Sequence, residues 1–397
     1  MAKLFDFDKE KTGRKFNGER LKLARTYRNI SAKELAEQIG VQRQTISMYE
    51  NSKLTNPEIE NLQKMSEALH FPIQFFMEDV KMKLDESPIY FRSLLTTRKQ
   101  YRIEQKTKVD FISVIYQYLS DYLDFLELNL PNIPVNTSPE EAANILRKYW
   151  GLGDRPIDNI IYLVEKNGLI VTDFESSTND VDAYSHRMEC TNGSYTFLIG
   201  YSKNKMATAR IHFDIAHELG HILLHSWKED LENIEKEEFK EIEKEAHEFA
   251  AAFLLPKEAF ISDIGGYADK LPYYIEMKRR WKVSIAAMIR RSFTLGLIDS
   301  FEYQRMMRNM QKQGIRKVEP LDDVLTTSKP SLLREGVYLL LDENVFTPKE
   351  FVDELSLEYG LSLYPEEIES LLGLRENTLK IRNDFKVISS IKEKHKM

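Results

Sequence analysis

The chain has 397 residues, of which 42% are hydrophobic and 30% charged, and a formal net charge of −7. These values fit an ordinary globular protein of two or three domains and exclude a general polyanion binder, so any nucleic-acid contact must be local. No run of about 18 apolar residues exists, no signal-peptide apolar core is visible, and the single cysteine, Cys190, precludes an intrachain disulfide. A cytoplasmic protein with no membrane partner is therefore expected.

Residues 1–80 read as a separate small helical domain. The spacing places Leu21, Leu23 and Ala24 on one face of a first helix. Ser31 and Glu34 form a capping box that starts a second helix carrying Leu35, Ala36 and Ile39, and Gly40 stops it with a left-handed turn. A short third helix, led into by Val41, turns Ile46 and Tyr49 inward. It leaves Gln42, Arg43, Gln44, Thr45 and Ser47 outward. This is a helix-turn-helix layout, in which the second helix of the pair offers polar residues to base edges and phosphates. Residues 1–70 hold 13 Lys/Arg against 10 Asp/Glu, so the local charge agrees with DNA as partner. The stretch from Ser31 to Lys53, SAKELAEQIGVQRQTISMYENSK, resembles the Xre/lambda-repressor-like family. That resemblance implies DNA binding, usually as a homodimer.

Residues 81–156 read as a linker and helical region. The polar stretch 81–104 is interrupted by Pro88. An aromatic-rich helix is expected from Gln105 to Leu128, stopped by Pro131 and Pro134, and another from Pro139 to Trp150. Residues 157–260 change pattern. A helix at 159–166 precedes strand candidates at 168–171, 182–185 and 195–201, the last two joined by a turn at Asn192-Gly193. The strand at 195–201 is expected to form a sheet edge to which an extended peptide could add. Residues 261–397 read as a helical C-terminal region without evident chemistry, and the Arg290-Arg291 pair as a solvated face.

The chemistry concentrates at His217-Glu218-Leu219-Gly220-His221, preceded by apolar residues at helical spacing. Residues four apart lie on one helix face, so His217 and His221 can offer two imidazoles to one zinc ion. Glu218 then lies beside the metal, placed to take a proton from water. Five of the eight histidines (212, 217, 221, 225 and 247) fall within 36 residues. His225 is rotated about 80° from His217 around the helix and is poorly placed to ligate. Leu224 and Trp227 stand where a metzincin needs Gly and His. A third ligand is expected from the acid-rich helix that follows, with Glu245 first, Glu248 second and His247 third. Tyr184 and His186 are candidate oxyanion donors.

Residues 207–256 resemble the ImmA/IrrE metallopeptidase family. The matching residues are Arg210, Phe213, Ala216 to His221, Leu223 and His225, then Glu245-Ala246, Phe249 to Ala251 and Leu254-Leu255-Pro256. The resemblance puts the third zinc ligand on Glu245. Where the family commonly has Asn, this chain has His247. The fold class expected is mainly α with a small β-sheet: a lambda-repressor-like helix-turn-helix, a zincin-like α+β core and a helical C-terminal region. The function expected is a regulatory zinc endopeptidase, similar to proteins that cut a helix-turn-helix repressor or antitoxin. The alternative is a transcriptional regulator whose zincin domain senses without cutting, although a pure sensor has no need of Glu218.

Overall fold

A four-stranded sheet divides the chain into two cores. In the computed structural model, which describes residues 15–78, 90–91, 99–174, 183–190, 193–203, 207–225 and 235–380, the strands are β1 (Tyr90–Phe91), β2 (Ile170–Phe174), β3 (Ala183–Glu189) and β4 (Tyr195–Ser202). Their order is β1-β3-β4-β2. β2 runs parallel to β4, with Ile170 opposite Leu198, and β3 runs antiparallel to β4, with Ser185 opposite Ile199. Successive side chains on a strand point to opposite faces. Ile170, Phe174, Tyr184, Met188 and Leu198 enter one core, while Val171, Ala183, Phe197, Ile199 and Tyr201 enter the other.

The first core gathers the N-terminal helices α1 (Gly18–Tyr27), α2 (Ala32–Ile39), α3 (Arg43–Glu50) and α4 (Ile59–Leu69) with α5 (Lys99–Ser120). The capping box at Ser31 and Glu34 is present, Gly40 is left-handed at φ 78°, and Ile46 is fully buried at the wedge. Arg25 holds both oxygens of Glu50, at 2.5 and 3.1 Å, and so fixes α3 against α1. To this group dock three C-terminal helices, α14 (Leu332–Asp342), α15 (Pro348–Leu357) and α16 (Pro365–Leu372). Tyr27 and Arg28 donate to the two oxygens of Glu367 at 2.5 and 2.7 Å, and Arg20 donates to the Gly360 carbonyl at 3.3 Å. Helices α14–α16 thus form a seat for the helix-turn-helix.

The second core contains α6 (Pro139–Tyr149), α7 (Ile160–Lys166), α8 (Thr208–Leu224), α9 (Lys236–Leu254), α10 (Lys257–Ile264), α11 (Leu271–Trp281), α12 (Ile285–Thr294) and α13 (Ser300–Lys312). Buried cations tie these helices together. Arg147 donates to the carbonyls of Gly153, Arg155 and Phe253, and Lys278 pairs with Glu319 and Asp322.

Several sequence expectations shift. β4 is an interior strand, flanked by β3 and β2, so it offers no free edge. α5 begins inside the expected linker and ends at Ser120, not Leu128, because Leu123 closes a turn onto Leu119 and Phe125 folds back on Tyr116. Arg291 is not solvated. It is 3% exposed and grips Glu140 with two bonds of 2.6 Å, joining α12 to α6. Among the described residues the most C-terminal helix, α16, stops at Leu372, with Gly373 as a left-handed cap. Residues 81–89 and 92–98 of the expected linker, with Asp182, Asn192 and Trp227, lie outside the described residues.

Candidate metal centre and DNA-facing helix

α8 carries His217, Glu218 and His221, all nearly fully buried, and α9 crosses it closely. The crossing depends on Gly220. A Cβ there would lie 3.1 Å from Ala246 Cα and 3.2 Å from Ala246 O, so even alanine would ask α9 to give by a few tenths of an ångström, and a larger side chain would push it further. The close approach carries Glu243, one turn before Ala246, to the histidine pair.

His217 Nε2 and His221 Nε2 are 3.0 Å apart. Glu243 Oε1 lies 3.4 Å from His221 Nε2, and Oε2 lies 3.6 Å from His217 Nε2. Zinc held tetrahedrally with bonds of about 2.0–2.2 Å separates neighbouring ligand atoms by roughly 3.3 Å. The three donors therefore fit one face of a zinc coordination sphere. Their charges fit as well. Burial, above all, pushes the His217 imidazole down to about 3, so it stays neutral. Burial alone would raise the Glu243 carboxyl, but hydrogen bonding to His217 and His221 holds it far below the usual carboxylate range. A neutral His217 imidazole beside an ionised Glu243 is the pairing a metal ion requires.

Glu245, the expected third ligand, is placed elsewhere. Two residues along α9 is about 200° around the axis, so Glu243 and Glu245 point to different sides. Glu245 Oε2 instead lies 3.1 Å from His225 Nε2, and His225 Nδ1 lies 3.0 Å from His221 Nδ1. A carboxylate–imidazole–imidazole chain results, which orients the His221 ring from behind. Glu248, the second choice, is exposed. His247, the third, donates from Nδ1 to the Glu243 carbonyl at 2.7 Å, and its ring centroid is 4.5 Å from that of His217. One donor atom each from His217, Glu243 and His247 also lies within 4.8 Å of the others. The set with His221 is tighter, and it leaves His247 beside the cluster.

Glu218 is 1% exposed, and its Oε2 accepts from Ser185 Oγ at 2.6 Å. Ser185 lies on β3 with its side chain toward α8. Tyr184 and His186 alternate to the other face, and Tyr184 packs on Phe174 and across Gly200 in the first core. Neither expected oxyanion donor is therefore on the Glu218 side of the sheet.

Sequence reading passed over Glu243, Ser185 and the supporting part of His225. Glu243 was within reach of it, because the buried stripe through Ala246, Phe249, Ala250 and Phe253 extends back three residues to Glu243. At the other site, Gln42, Arg43, Gln44 and Ser47 are exposed at the start of α3, and Thr45 is partly buried.

Residues 166–293 match the model of the Peptidase M78 family, described as the IrrE N-terminal-like domain, and residues 21–76 match the helix-turn-helix family. No curated protein matches. Among solved structures, Bacillus thuringiensis PlcR in complex with the peptide PapR7 and DNA is 16% identical, with 75% of this chain and 98% of that chain covered. Its TM-score is 0.15, and the likeness carries no argument. Among the described residues, no helix is long and apolar enough to cross a membrane. The family matches support a metallopeptidase-type hydrolase with a metal, DNA binding and a regulatory role. The chain joins a helix-turn-helix segment at 21–76 to an IrrE N-terminal-like segment of the Peptidase M78 family at 166–293.

Proposed function

We propose that this protein is a DNA-associated zinc endopeptidase that cuts a specific regulatory protein, such as a helix-turn-helix repressor or antitoxin. The observation that carries this reading is the placement of Glu218. Its carboxylate is buried and fixed by Ser185, on the same helix as two imidazoles that converge with Glu243. A structural glutamate has no need of that position.

His217, His221 and Glu243 would hold the zinc, and His225 with Glu245 would orient His221. When bound, zinc supplies polarisation of the scissile carbonyl and a more acidic water. Ser185 holds Glu218 Oε2 and so orients the carboxylate that would accept a proton from the attacking water. The same carboxyl returns that proton to the leaving amine. The sheet and α8 exclude bulk water, which strengthens each of these contacts. Gln42, Arg43, Gln44, Thr45 and Ser47 would face DNA, concentrating the enzyme near few substrates.

Glu218→Gln tests the reading. The variant should bind zinc as wild type does and lose cleavage, by at least about a hundredfold for a lost general base. A Glu218→Gln protein that cuts at the wild-type rate removes Glu218 from the mechanism.

A further inference from the structure

β3 is the strand that touches the catalytic helix, through Ser185 and Glu218. One of its edges is taken by β4. On the other, at Tyr184 and Ser185, lies β1: Tyr90 pairs with Ser185 and Phe91 with Tyr184, antiparallel. A strand edge can hydrogen-bond only one neighbour at a time. The backbone position opposite the residue that fixes Glu218 is therefore already filled, and it is filled by this chain.

β1 also has a particular origin. It lies between the last described residue of the N-terminal domain, Glu78, and the start of α5 at Lys99. Residues of both flanking elements, Phe75, Phe76 and Phe111 among them, belong to the first core. In sequence β1 thus stands between two elements of the first core, and it pairs with the strand that carries Ser185.

We infer that the site takes its substrate as an extended peptide added antiparallel to β3 at Tyr184–Ser185, and that residues 90–91 hold this place as a built-in competitor. This rests on the peptidase reading. Substrate enters as β1 leaves, so the edge strand is shared between the chain's own segment and an incoming one. The recognition is by main-chain pairing, and it selects an unfolded or loop segment over a folded surface. Because β1 is tethered to the helix-turn-helix side at both ends, events there can change its hold on β3.

The test uses the full chain in a Glu218→Gln background, so that nothing is cut. Two variants release β1: Tyr90→Pro with Phe91→Pro, which removes both candidate amide donors, and a Gly/Ser replacement of residues 86–95 at equal length. The probe is a fluorescent peptide of residues 84–97, LDESPIYFRSLLTT. In both variants, hydrogen exchange at the β3 amide that faces β1, at Tyr184 or Ser185, should quicken by on the order of tenfold, as expected for the loss of its backbone hydrogen bond. The peptide should bind both about tenfold tighter than it binds the parent, and binding should restore slow exchange. Unchanged exchange and unchanged peptide affinity in both variants would overturn the inference. Neither readout needs cleavage. These peptide results together with no zinc-dependent cutting of any regulatory protein by the chain that keeps Glu218 would instead remove the peptidase reading and leave the edge-strand inference standing.

Discussion

Exchanging Glu243 and Glu245 for glutamine one at a time should separate the proposed metal ligand from its proposed support. Glu243 reaches both Nε2 atoms, at 3.4 and 3.6 Å, whereas Glu245 touches only the outer imidazole of His225, at 3.1 Å. Glu243→Gln replaces an anionic donor by a neutral one at the metal. Zinc affinity should fall by more than about a hundredfold, beyond the roughly 10–100-fold seen when an outer partner is lost. Glu245→Gln keeps a hydrogen-bond acceptor for His225, so its loss should stay at or below about tenfold. Competition against a chromophoric chelator at fixed pH measures both. Glu245, 41% exposed at its side chain, should leave stability unchanged when exchanged, whereas Glu243, 16% exposed and held ionised by its histidine partners, should lose some, so each zinc affinity is read beside a urea-unfolding control. If Glu245→Gln loses more zinc than Glu243→Gln, the rotation of α9 assigned above is wrong, and the expectation from the sequence regains its place.

Other outcomes follow from the same geometry. Gly220→Val places branched carbon where even a Cβ lies 3.1 Å from Ala246 Cα, so α9 must move outward. Thermal unfolding should show a loss of about 1–3 kcal/mol, and zinc affinity should fall further than that loss implies. His212 is fully buried, and burial pushes its imidazole down to about 3. The unfolded chain takes that proton first, near pH 6.5, so stability is intact above 6.5 and falls as pH drops toward 3. Urea unfolding should find His212→Gln less acid-sensitive than wild type, by about 2–3 kcal/mol between pH 7.5 and 4.5. Arg43→Ala with Gln44→Ala removes two exposed side chains from the start of α3. DNA affinity should fall by roughly tenfold or more for the pair while zinc binding is unchanged.

Much of this was legible because it is local. The Ser31–Glu34 capping box, the left-handed Gly40 and the buried Ile46 lie within a few turns, and all three appear as the sequence implies. His217, Glu218 and His221 share one helix, so 3.6-residue periodicity alone brings the imidazoles together. The third carboxylate was different. Its identity depends on how α9 is rotated against α8, and Gly220 and Ala246 set that rotation across a tertiary contact. Strand order also escaped the sequence. Residues 195–202 alternate like any half-buried strand, and only the full sheet shows β4 inside and β3 beside α8. The C-terminal region read as chemically silent because its partners are remote. Glu367 meets Tyr27 and Arg28 across more than 300 residues of chain, and no local pattern marks that pairing. Arg291 and Glu140 are hidden for the same reason, since a lone charged pair in a helix reads as solvated until the opposing helix is in place.

The most direct measurement is cleavage itself. The purified zinc-loaded chain is incubated with the small repressor or antitoxin proteins encoded beside its gene, with and without chelator, and products are read by mass spectrometry. A discrete product at one site, abolished by chelator and by Glu218→Gln, is the expected result. Zinc bound at the His217–His221–Glu243 cluster with no zinc-dependent product from any of these proteins, or from a library of extended peptides, would contradict it and leave a metal-binding regulator that does not cut.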